Sequence, residues 1–325
     1  MHRTAALAAV ATCLLLASVS PAAAQRLSFE RTLDAAPTLD ISTIRGQIDI
    51  AVGDAGRIVV EGTVTVRASW DTPADALERA RRIAAAPPIE EQEGTLRLRE
   101  PANDTDRRAV TVAYQVRVPR ETRVVARSES GAIAIAGVGG TMRVQTQSSS
   151  IRLARLGGAV EVTTGSGRVL VDGSDADVRV QTASSAITVK GLRASFHART
   201  QSGQVDATLN GTGAVDVQTG SSAIHLQGIA GALTAATESG RVLLFGLPGA
   251  DWDVVTGSGS VELMLRPDPA LTLDATTRSG SVRIEDVVFS GAKANRSMRG
   301  TIGAGGAGGP LVRLASRSGS ITIKG

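Results

Sequence analysis

Apolar positions in this chain recur with a fixed period. From Val124 onward a Ser followed by Gly or Ser, then one variable residue, leads into apolar residues at alternate positions. The unit reads SGAIAI, SSSIRL, SGRVLV, SSAITV, SGQVDA, SSAIHL, SGRVLL, SGSVEL, SGSVRI and SGSITI. Its anchors are Ser130, Ser148, Ser166, Ser184, Ser202, Ser221, Ser239, Ser258, Ser279 and Ser318, spaced by 18, 18, 18, 18, 19, 18, 19, 21 and 39 residues. Three and five residues after the anchor stand pairs such as Ile133/Ile135, Val169/Val171 and Val242/Leu244. Six and four before it stand pairs such as Val160/Val162, Val178/Val180 and Trp252/Val254, and two before it a Thr or Ser, from Ser128 through Thr200 to Ser316. Period-two alternation, twice per unit, predicts two short strands per repeat with one buried face each.

A unit of this length with two strands and two corners predicts an all-β fold: a single-stranded parallel β-solenoid with about 18-residue rungs, stacked at about 4.8 Å. A propeller blade would need about 40 residues and four strands. One rung alone cannot offset the entropy of ordering its own backbone, so the rungs must fold as an array. Small residues at the Ser-Gly and Ser-Ser corners suit a sharp turn stacked on an identical turn. The Thr column shares phase with the buried Val and Ile columns, so it should point inward or line the corner and hydrogen-bond from rung to rung. Phe196 and Trp252 occupy an inward column and are read as core.

The flanks depart from the repeat. Leu39 to Ile50 fits the same template with Arg45 at the anchor, and strands are expected at Arg57 to Arg67, Thr95 to Glu100 and Ala109 to Val118. Thr72 as N-cap and Pro73 at the first helical position predict one short N-terminal helix, residues 72–86, with Ala76, Leu77, Ala80, Ile83 and Ala84 on its apolar face, acting as a cap on exposed strand edges. The long spacer before Ser318 reads as a loop insertion at about 288–310 that includes the glycine-rich tract Gly303 to Gly309. At the other end, His2 and Arg3, an apolar run from Thr4 to Val19 and Pro21-Ala22-Ala23-Ala24 read as a signal peptide, residues 1–24. The run is shorter than the ~20 residues of a membrane span. The expected organisation is therefore a signal peptide (1–24), an N-terminal β region (25–122) and β-solenoid repeats (123–325), exported to the periplasm or cell surface, with no transmembrane segment after signal removal.

Composition narrows the chemistry. The single Cys of the 325 residues, Cys13, lies in the signal segment, so the mature chain has no disulfide. There are 35 Lys and Arg against 31 Asp and Glu, a narrow and unclustered excess that excludes a nucleic-acid partner. His197 and His225, the only mature histidines, fall on different strands of different rungs, and no metal site is assigned. The glycine tract is not followed by Gly-Lys-Ser/Thr, so it is no phosphate loop, and no cofactor is expected. Outward carboxylates at Asp206, Asp216, Asp253 and Glu262 raise the question of a glycan-cleaving enzyme. Asp216 and Asp253 share a column two rungs apart, roughly 10 Å, close to an inverting separation. Thr234 stands between them and no aromatic platform is nearby, so no catalytic residue is assigned and the chain is read as a non-enzyme.

Several features together resemble a family of exported bacterial adhesin-like proteins with a β-strand-repeat domain. They are the signal peptide, Val116-Arg117-Val118-Pro119-Arg120 closing the N-terminal region, rungs of the type V-x-T-x-S-G-x-V-x-V, and Arg299-Gly300-Thr301-Ile302-Gly303 ahead of a final S-G-S-I-T-I strand. The resemblance implies a β-repeat fold and adhesion, and brings no catalytic residues. The expected function is a non-enzymatic exported β-solenoid, an adhesin or cell-envelope scaffold whose partner is an envelope protein or glycan. The alternatives are a polysaccharide lyase or hydrolase, and a periplasmic envelope-stress or signalling module that binds a protein partner.

Overall fold

The computed structural model describes residues 25–69, 72–267, 270–303 and 309–325; the signal-peptide reading and most of the glycine tract lie outside them. The described residues form two long sheets, sheet A of 14 strands and sheet B of 15, together with two helices. Each repeat contributes one strand to each sheet. In sheet B Met142 pairs with Val160, Val160 with Val178 and Val178 with Phe196, all parallel. In sheet A Ile151 pairs with Val169, Val169 with Ile187 and Ile187 with Val205 in the same sense. Like therefore stacks on like, and Val144, Val162, Val180 and Val217 are fully enclosed between the sheets. This core is aliphatic, as the composition requires.

The Thr column is buried, from Thr43 through Thr200 to Thr277. Its hydroxyls bind backbone rather than one another. Gly203 N–H donates to Thr200 Oγ1 at 3.0 Å within its own corner, while Thr237 and Thr256 donate to the carbonyls of Ser222 and Gly240 on the preceding rung, both at 3.2 Å. Among the described residues, only Thr43 and Ser128 join hydroxyl to hydroxyl in this column, at 3.2 Å. The corner is correspondingly tight: a Cβ at Gly203 would lie 1.7 Å from the Ser185 carbonyl oxygen. At the opposite corner, seven residues after the anchor, the backbone turns left-handed at Gly137, Arg155, Gly173, Gly191 and Gly228. That conformation costs glycine least. It also breaks the period-two parity, so the next residue points inward and Val138, Leu156, Leu192 and Ile229 form a further buried column.

Two expectations need correction, the single helix and the loop. The N-terminal helix, α1, spans Ala76–Ala85 with Asp75 at the cap position; Thr72 Oγ1 instead accepts from Ser69 N–H and donates to the Arg67 carbonyl. A second helix, α2, follows at Asp104–Ala109, where Asn103 Oδ1 accepts the Thr105 N–H and acidic residues precede basic ones along the axis. The buried Asp106 carboxylate of α2 is held by Arg79 and Arg82 of α1, each at 2.8 Å. α1 packs across three strands at the N-terminal end of sheet A, Arg26–Asp34, Arg57–Val66 and Val110–Val118. The segment read as a loop at about 288–310 contains an antiparallel hairpin, Phe289–Ala294 with Ser297–Ile302, at the far edge of sheet B.

Rung order in space differs from rung order in the chain. The last rung in sequence is not last in space. Leu311–Ser318 pairs on one side with Trp252–Thr256 and on the other with Leu271–Ser279, so Val312 touches both Trp252 and Leu273. In sheet A Ile321 likewise lies between Val261 and Val282. The C-terminal rung is thus inserted between two rungs consecutive in sequence.

Tyr114, the chain's only tyrosine, sits in the N-terminal core edge-on to Phe29 and donates to the Arg99 carbonyl at 2.6 Å. Burial, reinforced by the Glu100 charge, pushes its phenol above the ordinary range. The unfolded chain releases this proton first, so stability is unaffected below about pH 10 and falls above it. Phenolate absorbance should therefore rise only together with unfolding. Titration of a still-folded protein near pH 10 would contradict this packing.

Candidate ligand-binding groove

Outward positions on sheet B, three residues before each anchor, form a ladder: Gln145, Thr163, Gln181, Arg199 and Gln218, then Ala236, Val255, Ala315 and Thr276. The neighbouring column, one residue before the anchor, contains Gly165, Gly220 and Gly257 among larger residues. Between the columns runs an open groove of about 1620 Å³, from Thr163 to Thr276 and Ala315. The glycines help keep it open because the preceding rung crowds each: a Cβ at Gly220 would lie 2.6 Å from the Gln201 carbonyl.

A second stretch of about 800 Å³ shares Thr163 and Thr164 with the first and continues past Gln145 and Arg127 to Ser42, Arg99 and Arg107. The two make one groove crossing eleven strands, about 48 Å at the usual strand spacing. Polar ladder positions dominate its N-terminal half. Ala236, Val255 and Ala315 give the C-terminal half an apolar floor on three adjacent strands, with Val255 46% exposed.

Charge along the groove is uneven. Asp40 neutralises Arg99 at 2.6 Å and Arg127 at 2.9 Å, and Arg107 pairs with Asp104. Arg199, Arg278 and Arg317 are exposed, with no carboxylate in ion-pair reach among the described residues. Arg278 and Arg317 project from adjacent strands. In this stretch they face a single acid, Glu238.

The carboxylates considered for catalysis are divided between opposite faces. Asp206 and Glu262 lie on sheet A, Asp216 and Asp253 on sheet B. His225 Nδ1 lies 3.4 Å from Asp206, and Lys324 contacts Glu262 at 3.2 Å, a pairing that raises the lysine's pKa. Asp216 sits 3.7 Å from His197 Nδ1 and accepts from Gln218 Nε2 at 3.3 Å. Asp216 and Asp253 share a column with Thr234 between them, and neither lines the groove. Trp252 and Phe196 are core residues, and Trp252 Nε1 donates to the Gly231 carbonyl at 2.9 Å.

The fold and groove define an all-β repeat protein with long parallel sheets and no gathered reactive groups among the described residues. A family model described as Toastrack DUF4097, a β-solenoid-like fold, matches residues 90–214 and 176–324, and the chain belongs to that family. No curated protein matches it. A crystal structure from Clostridium sporogenes, described as a "putative cell adhesion protein", aligns over 92% of this chain and 99% of its own at 9% identity, with a TM-score of 0.20.

Proposed function

We propose that this chain is a non-enzymatic, exported adhesin-like β-solenoid that holds an extended polymer along the groove of sheet B. The observation that carries the reading is the continuity of that groove across eleven strands. A site for a compact ligand closes around it; an open channel running across successive rungs offers the same polar and small groups step after step, which suits a chain molecule. The apparent signal sequence supports export, and the rigid stack of rungs supports a scaffold-like display of the groove. The domain organisation that fits this role is an N-terminal β region carrying the helices and a solenoid body carrying the groove.

The test is retention of the purified protein on surfaces coated with linear envelope or host glycans, alongside an assay for reducing ends and unsaturated products. Binding without product release is expected, with Gln218→Trp, which places a bulky ring in mid-groove, abolishing retention. Product release would establish the polysaccharide-active alternative. Retention unaffected by Gln218→Trp would remove the groove from the function.

A further inference from the structure

The geometry points to a linear acidic glycan, one carrying a carboxylate on its successive sugars, as the polymer bound in the C-terminal half of the groove; this rests on the groove reading above. Four observations converge. Arg199, Arg278 and Arg317 are exposed along the stretch without carboxylate partners among the described residues, against the single acid Glu238. Four strand steps separate Arg199 from Arg317 and five separate it from Arg278, about 19 and 24 Å. Guanidinium groups at that separation can engage several carboxylates of one chain, each by bidentate hydrogen bonding.

Between these arginines lies the floor of Ala236, Val255 and Ala315, on which the C–H faces of sugar rings can pack while their hydroxyls reach the outward side chains of Gln218 and Thr276. The rung spacing also matches. An extended β-1,4-linked glycan turns each successive sugar over and so returns a carboxylate to the same face at every second sugar, close to two strand steps, about 10 Å. An extended acidic peptide returns a side chain to the same face only every second residue, roughly 6.6 Å, and drifts out of register with a 4.8 Å repeat. Single-stranded nucleic acid is held mainly by stacking on aromatic side chains, and none lines this groove.

The experiment is calorimetric titration of the purified protein with oligomannuronate and β-1,4-oligoglucuronate, and with neutral β-1,4-glucan and mannan oligomers of equal length. The acidic oligomers should bind, more weakly as salt rises, and the neutral ones should bind about tenfold more weakly or not at all. Arg199→Gln/Arg278→Gln/Arg317→Gln should weaken acidic binding by about tenfold, the summed effect of three exposed charge contacts. Glu238→Gln should strengthen it, an outcome that misfolding cannot mimic. Equal affinity for neutral and acidic oligomers, lost in Gln218→Trp but kept in the triple variant, would overturn the acidic-glycan inference and leave the groove reading standing. Acidic binding indifferent to both Gln218→Trp and the triple variant would overturn both, as would no binding by any oligomer.

Discussion

A chain shortened to end before Gly309 is expected to lose the cooperative stability of its C-terminal third and to recover it when a peptide of residues 309–325 is added. Deletion removes an interior rung, not a terminal one. Val312, Leu314, Ile321 and Ile323 are fully buried, a gross apolar burial of about 8 kcal/mol at about 2 per side chain. The loss also uncovers facing edges on four strands, because Trp252–Thr256 and Leu271–Ser279 in sheet B, and Val261–Leu265 and Val282–Glu285 in sheet A, meet only through the inserted rung. Unpaired parallel edges with matched columns template further strands, so the shortened chain should self-associate and the peptide should suppress that association. Hydrogen exchange and light scattering read both effects. A shortened chain that stays monomeric, keeps its unfolding midpoint and ignores the peptide would mean that the rungs stack in sequence order.

Trp252→Ala should be the most damaging single substitution in the solenoid core, costing about 3–5 kcal/mol. The indole is 1% exposed, fills an inward column at the strand beside the inserted rung, and satisfies the Gly231 carbonyl through Nε1. Gly246 beside it has no room for a side chain, since a Cβ there would lie 2.4 Å from the Ile229 carbonyl oxygen and 3.0 Å from the indole. Alanine leaves a cavity that two rigid sheets cannot collapse to fill and a buried carbonyl without its donor. Trp252→Phe keeps most of the volume and should cost markedly less. Urea denaturation checks the pair; a loss below about 1 kcal/mol for Trp252→Ala would place the indole outside the core.

The sequence made the repeat legible because its columns are chemical: an inward Val or Ile and a corner Thr can be read off any rung. It left three things hidden, each for a physical reason. The buried column of Leu156 and Leu192 breaks the period-two rule, since a left-handed residue at the second corner flips the parity. Rung order was hidden because the columns are interchangeable, and Val312 packs beside Trp252 as well as Leu273 would. Helix α2 was hidden because six residues are too few to show a helical period, although Asn103 followed by Asp104 and Asp106 carries the capping and dipole signal. As for the groove, nothing in the residue types of its ladder from Gln145 to Thr276 marks it out from other outward columns. A groove needs two columns of unequal height, and height becomes visible only when Gly220 is seen packed beneath the Gln201 carbonyl.

The central claim, that one groove holds a polymer across successive rungs, is tested most directly by how affinity depends on ligand length. Oligomannuronates of two to fourteen sugars should bind with affinity that climbs through about the first ten units, the number of steps across the eleven strands, and then levels off. An affinity already at its plateau with two to four sugars would contradict the account, because it would describe a single compact subsite and not a groove that uses the length of the stack.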